Sequence, residues 1–227
     1  MARNDQSAPM TTAVRVPIGG QSLQGDLGMP DQPRGIVLFA HGSGSSHSSP
    51  RNRRVARQLQ EGGIATLLFD LLTPMEEQED ASTGKLRFDV ELLAQRLMHV
   101  IDLVAEGLSE GNFRIGLFGA STGSAAALIA AAKRPKIVRA VVSRGGRPDL
   151  AESALALVRA PTLLIVGAQD SKVLPLNVQA LGQLRCVKRL EIVPRASHLF
   201  TEPGTLDQVA LLARDWFSHH LPAAQFD

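Results

Sequence analysis

The sequence predicts an α/β fold built on a mostly parallel sheet, and three features of its hydrophobic pattern carry that expectation. Short apolar runs recur at intervals that leave room for helices. These runs are apolar throughout instead of alternating, as in strands covered on both faces. Between them lie segments whose apolar residues step by three and four, the period of an amphipathic helix. Strands and helices that alternate along the chain give a parallel sheet with helices on both faces.

Each element follows in order. Met1 to Thr12 is polar and is expected as a flexible N-terminal arm (1–12), with 13–227 a single domain. Ala13–Pro17 and Ser22–Leu27, joined by Gly19-Gly20, read as a hairpin and supply an antiparallel N-terminal edge. Ile36-Val37-Leu38-Phe39-Ala40 is the first parallel strand. Ser43–Pro50 behind it is rich in Ser and Gly but too short to separate domains. Arg51, Arg53, Arg54 and Arg57 then fall on a helix start and read as a solvated face. Thr66–Phe69 is a strand, and the acidic stretch Thr73–Gly84 reads as a loop. Within Lys85–Glu106, the residues Val90, Leu93, Leu97, Ile101 and Val104 make one apolar helical face. Phe113–Phe118 is a buried strand, Ala125 to Lys133 a helix, and Val138–Val142 the next strand. Only about 18 residues separate Val142 from Pro161, room for one short helix (Leu150–Val158) and not for a large cap domain. Pro161 opens the strand that runs through Leu163–Val166 as its first residue, where a missing N–H is tolerated. Leu190–Val193 is the last strand, and Val209, Leu212, Ala213, Trp216 and Phe217 mark the last helix.

Composition bounds the function. A chain of 227 residues, 44% hydrophobic and 20% charged, suits one domain with a full-sized core. Lys and Arg total 24 against 22 Asp and Glu, and they are scattered, so the pI near 9.0 does not point to nucleic acid. A single cysteine, Cys186, excludes an internal disulfide and fits a reducing compartment. There is no 18-residue apolar stretch, and Met1 to Thr12 lacks the apolar core of a signal peptide. The expectation is a cytoplasmic monomer or homodimer with no membrane span.

The chemistry centres on Gly119-Ala120-Ser121-Thr122-Gly123, a serine between two glycines at a strand-to-helix junction. That is the nucleophile elbow, in which a strained turn lifts the hydroxyl clear of the sheet and the helix N-terminus faces the reacting centre. A serine hydroxyl needs a base and an orienting acid, and functional groups of open α/β sheets gather beyond the carboxyl ends of the strands. Six histidines are available. His99 lies within a helix, while His219 and His220 sit at a helix end. His198, in the loop just past the last strand, is the candidate base. Asp170 follows the strand Leu163–Val166 and is the candidate acid. Asp149 is its closest rival, Asp70 ends a strand ahead of the serine, and Asp207 suits the first turn of the last helix. Oxyanion donors are expected from the backbone of Thr122 and of Ser43 in His41-Gly42-Ser43-Gly44-Ser45-Ser46, with Gly44 in reserve. His41 reads as a brace for that loop, and His47 as a residue at the entrance. Arg144 and Arg147, in a glycine-containing loop on the same edge, offer forked donors for an anionic substrate group. No pair has metal-ligand spacing such as H-E-x-x-H, so no metal and no cofactor is expected.

Taken together, His41-Gly42-Ser43-Gly44, Gly119-Ala120-Ser121-Thr122-Gly123, Gly167-Ala168-Gln169-Asp170 and Ala196-Ser197-His198 resemble the α/β-hydrolase superfamily. The compact size, Phe88-Asp89-Val90 and the segment Val142 to Asp149 are similar to its dienelactone-hydrolase-like branch. The order Ser121, Asp170, His198 is the triad order of that superfamily. Dienelactone hydrolases carry a cysteine nucleophile where this chain has Ser121, which turns the expectation toward ordinary ester chemistry. The resemblance implies a cofactor-free serine hydrolase of small carboxylic esters working through an acyl-enzyme. Thioester hydrolysis, acyl transfer or perhydrolysis on the same triad is the alternative, and a non-catalytic ligand-binding module is the alternative of another class.

Overall fold

A computed structural model describes residues 10–107 and 114–221 of the chain. Its centre is an eight-stranded sheet in the order β1-β2-β4-β3-β5-β6-β7-β8. The strands are β1 (Met10–Ile18), β2 (Gln21–Met29), β3 (Ile36–Ala40), β4 (Ala65–Phe69), β5 (Ile115–Ala120), β6 (Val138–Arg144), β7 (Thr162–Gly167) and β8 (Lys188–Val193). β1 pairs antiparallel with β2, and β2 antiparallel with β4. All pairings from β4 to β8 are parallel. Every residue of β3, β4, β5 and β7 is buried, as their unbroken apolar runs require.

Among the described residues six α-helices cover the sheet: α1 (Pro50–Glu61), α2 (Pro74–Thr83), α3 (Val90–Gly107), α4 (Thr122–Lys133), α5 (Leu174–Gln183) and α6 (Thr205–His220). One core cluster holds Leu38, Leu117 and Val141 of the sheet with Leu97 and Ile101 of α3 and the alanines of α4. The opposite cluster holds Phe39, Phe118 and Val142 with Val55 and Leu59 of α1 and Val209 and Phe217 of α6. Successive strand residues point to opposite faces, so the two clusters divide neighbours such as Leu38 and Phe39. α4 is buried from Thr122 to Ala131, between the sheet, α3 and the segment after β6. Five alanines among those residues let it lie that close, and a helix apolar on all sides belongs inside.

The hairpin is longer than its apolar signal. β1 starts at Met10, so Met10–Thr12 belong to the sheet and not to an arm; Met1–Pro9 lie outside the described residues, as does Phe113. The other correction is Thr73–Gly84, expected as a loop and found as helix α2. Its start carries a reciprocal cap: Thr73 Oγ1 accepts the N–H of Glu76, and Glu76 Oε2 accepts the N–H of Thr73 at 2.8 Å. Pro74 at the first helical position supplies the fixed φ that suits a helix start. Between β6 and β7 stands a 3₁₀ segment, Pro148–Leu157, kinked at Glu152, and no large cap domain.

Candidate active site

The elbow is built by close approach. A side chain at Gly119 would meet Ser124 Cα at 2.4 Å, and one at Gly123 would meet the carbonyl oxygen of Ala40 at 2.3 Å. Both positions must therefore be glycine for α4 to leave β5 so tightly. Ser121 between them has φ 50° and ψ −122°, a strained conformation costing about 1–3 kcal/mol. Four hydrogen bonds hold it there. Its N–H donates to the Arg144 carbonyl at 3.2 Å, and its own carbonyl accepts the N–H of Ser124 and of Arg147, each at 3.1 Å. The Ser124 hydroxyl adds a fourth at 2.7 Å. At about 0.5–1.5 kcal/mol each, these bonds offset the strain. The backbone of the loop after β6 is thus a clamp on the elbow, a role that its side chains did not signal.

His198 follows β8, and its Nδ1 lies 2.6 Å from Asp170 Oδ2. Asp170 stands in the turn after β7 and is 8% exposed, so one carboxylate oxygen faces the ring from inside the protein. With Nδ1–H donated to the carboxylate, Nε2 is left as the acceptor. The His198 loop rests on Gly145, where a side chain would come within 3.1 Å of the His198 carbonyl and 3.5 Å of Nδ1. The rival acid is engaged elsewhere: Asp149 takes Nε and Nη2 of Arg147, at 2.9 and 2.7 Å. Asp207, in the first turn of α6, is held by Arg54.

The loop after β3 closes the other side. A side chain at Gly42 would lie 3.0 Å from Ser121 Cβ, which places this loop against the elbow. The Ser43 N–H points at the start of α4 but donates to Thr122 Oγ1 at 2.9 Å. Among the described residues the N–H groups of Thr122 and Gly44 have no hydrogen-bond acceptor. Asp70, at the end of β4, fixes the far end of the loop through the His47 N–H at 2.7 Å and the His47 ring at 2.8 Å. His41 braces it as well, its Nε2 accepting the Leu71 N–H at 3.1 Å. The opposite ring nitrogen then carries the proton and donates to the Gly42 carbonyl at 3.0 Å. Burial pushes the His41 pKa below 6.5 and keeps this imidazole neutral.

Beside the loop is a cavity of about 210 Å³ walled by Gly42, Ser43, Leu72, Glu77 and Leu93. α2 and a 3₁₀ turn, Leu86–Phe88, complete it through the ion pair of buried Asp80 with half-buried Arg87. Partial desolvation at the cavity wall raises the Glu77 carboxyl above 4.5, with the Asp70 charge acting in the same direction. These wall residues of α2 were missed in the sequence, although Thr73-Pro74-Met75-Glu76 has the spacing of a capping box. Of the two arginines expected in the loop after β6, Arg144 is instead the last residue of β6, 7% exposed with its Nε and Nη1 lacking a partner, and Arg147 in the loop is paired with Asp149. Among the described residues no three His, Cys, Asp or Glu side chains are grouped as metal ligands. No helix among them is long and apolar enough to cross a membrane.

A parallel sheet with an antiparallel edge, a strained serine at the β5–α4 junction and a His–Asp pair beyond β7 and β8 define an α/β-hydrolase. The chain belongs to that family, whose alpha/beta hydrolase domain model matches residues 33–209. Its likeness to a crystal structure of dienelactone hydrolase from Anabaena variabilis puts it in the dienelactone-hydrolase-like branch. The two share 57% sequence identity with a TM-score of 0.91, over 94% of this chain and 99% of that one. Est1E from Butyrivibrio proteoclasticus shares the fold at 17% identity and a TM-score of 0.75, over 92% of this chain and 98% of Est1E. Proteins from two strains of Mycobacterium tuberculosis, each named "Putative phosphoribosyl transferase", are 55% identical over 208 residues. That match takes in 92% of this chain and 46% of each relative, so the chain spans about half of their length.

Proposed function

We propose that this chain is a cofactor-free serine hydrolase that cleaves small carboxylic esters through an acyl-enzyme. The observation that carries the reading is the His198–Asp170 contact of 2.6 Å on the same sheet edge as the strained Ser121. In this mechanism His198 Nε2 takes the Ser121 proton as the hydroxyl oxygen attacks the ester carbonyl. Asp170 holds the imidazole in that tautomer and stabilises the imidazolium. The N–H of Thr122, at the start of α4, and the N–H of Ser43 receive the oxyanion, Ser43 releasing Thr122 Oγ1 as it does so. His198 then protonates the departing alcohol, and water attacks the acyl-enzyme with His198 again as base. The cavity of about 210 Å³ beside the loop suits a small acyl or alcohol group. Of the two arginines, Arg144 at the end of β6 has unclaimed donors for an anionic substrate, and Arg147 supports the loop through Asp149. The phosphoribosyl transfer in the mycobacterial name is that of proteins of which this chain spans about half, and it is not carried over to this chain.

Labelling with a fluorophosphonate probe tests the nucleophile directly. The parent is expected to label one to one and the Ser121→Ala variant not at all. Ester turnover by that variant should fall at least about a thousandfold without loss of fold. Turnover within tenfold of the parent would sink the assignment.

A further inference from the structure

Arg144 is a buried cation without an anion. Strand alternation puts its side chain on the same face as Ala140 and Val142, under α1 and α6. It is 7% exposed, its Nε and Nη1 have no partner, and among the described residues no carboxylate pairs with it. A second cation stands on the cavity next to this strand end: a side chain at Gly145 would lie 3.4 Å from the Phe200 ring, and Phe200 and Arg51 line the same cavity. Arg51, in the first turn of α1, has an unpartnered Nε and likewise no ion pair among the described residues. Burial, with the charge of Arg51 added, lowers the Arg144 pKa to about 10, so the guanidinium is still ionised near neutrality.

Two neighbouring positive charges, one of them out of water, repel each other and lose hydration with nothing in return. The ordinary remedy is an acidic neighbour, and the surroundings do not offer a free one. Arg51 opens on a cavity of about 370 Å³ beside Phe200, two positions beyond His198. On its wall Asp207 is paired with Arg54, and Glu202 accepts the Ser197 N–H at 3.0 Å. The first turn of α1 holds no acidic residue. Its helix N-terminus adds partial positive charge to that of the arginines. The Arg144 carbonyl meanwhile takes the Ser121 N–H, which ties this charged corner to the nucleophile through one peptide group.

We propose that Arg51 and Arg144 form the subsite for an anionic group on the ester, and that the group is a phosphate. Two guanidinium forks balance a phosphate dianion, whereas one carboxylate would leave a positive charge unmatched. The proposal rests on Ser121 as the nucleophile only for the orientation of that substrate. Binding of the anion itself is independent of the chemistry.

The test separates the two. Inorganic phosphate and acetate are titrated calorimetrically into the parent, Ser121→Ala, Arg51→Met and Arg144→Met proteins, with thermal unfolding recorded in phosphate-free buffer. Parent and Ser121→Ala are expected to bind phosphate alike and acetate at least tenfold more weakly. Each arginine variant should lose phosphate affinity tenfold or more. Arg144→Met should melt no lower than the parent, because an unmatched buried charge gives way to an apolar chain of similar length. In turnover, Arg51→Met should lose tenfold or more in kcat/KM on a phosphate-bearing ester and less than twofold on a neutral one of equal size. Phosphate binding unchanged in both variants would mean an adventitious ion only and would overturn the subsite. So would tighter binding of acetate. If Arg144→Met does not fold, Arg51→Met decides alone. Ester turnover retained by Ser121→Ala would remove the nucleophile and leave the phosphate titration standing on its own.

Discussion

Thr122 does two things at the mouth of the site, and they pull in different directions. Its N–H heads α4 beside Ser121, while its hydroxyl oxygen occupies the Ser43 N–H at 2.9 Å. An N–H held by a neutral hydroxyl is a preorganised donor that exchanges a weak acceptor for an anionic one as charge develops. Replacing Thr122 by Val keeps the shape and removes that acceptor. The loop then loses one hydrogen bond of about 0.5–1.5 kcal/mol, and kcat is expected to fall about two- to tenfold with KM little changed. An unchanged or raised kcat would show the hydroxyl to be a competitor and would move the second donor to Gly44. The acid is tested in the same assays. Asp170→Asn should be the damaging change and Asp149→Asn the mild one, since Asp149 faces Arg147 and not the imidazole. The reverse order would place the acid at 149. At this scale the sequence was informative where chemistry restricts residue type. The serine between glycines and the His and Asp beyond strand ends were legible. Arg144 and Arg147 were not separable, because alternation on β6 and the nearby Asp149 decide which fork is spent, and both depend on a strand end two residues past its apolar run.

α2 shows how an element hides from an apolar-pattern reading. It buries only Asp80 among its residues, so it has almost no hydrophobic face to detect. What holds it is its end chemistry. The capping box and Pro74 start it, Gly84 in a left-handed conformation stops it, and Asp80 ties it to Arg87 and to the N–H of Leu86 at 2.7 Å. Glu76 also reaches Arg96 on α3, which links the helix to the body of the protein. α2 walls the cavity beside the oxyanion loop, so its stability and substrate binding are coupled. Thr73→Ala removes the cap hydroxyl at a cost of about 1 kcal/mol. The expected results are a melting temperature lower by about 2–4 °C and a KM that rises more than kcat falls. A KM unchanged at the lower melting temperature would show that α2 is not part of the substrate pocket. The parallel strands β3, β4, β5 and β7, by contrast, were legible to within two residues, because burial of every position keeps charged residues out of them, whereas β8 buries only Val193 and was read only from Leu190 onward.

For the whole molecule, the groups whose pKa the fold moves set its behaviour in acid. Burial lowers the pKa of His41 below 6.5, with Gly42 and Asp70 opposing and His47 assisting. Burial, helped by the charge of His219, does the same to His220. Both are neutral in the folded chain and gain a proton more readily when it unfolds. The unfolded state therefore binds more protons below about 6.5, and stability present above that pH is lost as pH falls through it. Carboxylates add a second window lower down. Hydrogen bonds from Arg134 hold Asp102 below 3.8, and those from Ser197 hold Glu202 below 4.5. For Asp80, burial pushes the carboxyl up, but hydrogen bonds from Arg87 and Leu86 outweigh it and leave the pKa below 3.8. Their contributions are present above those ordinary values and disappear as pH drops past them. Urea unfolding at a series of pH values is expected to show a first loss of stability as pH falls below about 6.5 and a second below about 4.5. His41→Gln should flatten the first and leave the second in place, since a glutamine has no proton to gain. A first window of equal depth in that variant would assign it to His220 and reduce His41 to a brace for the loop that carries Ser43.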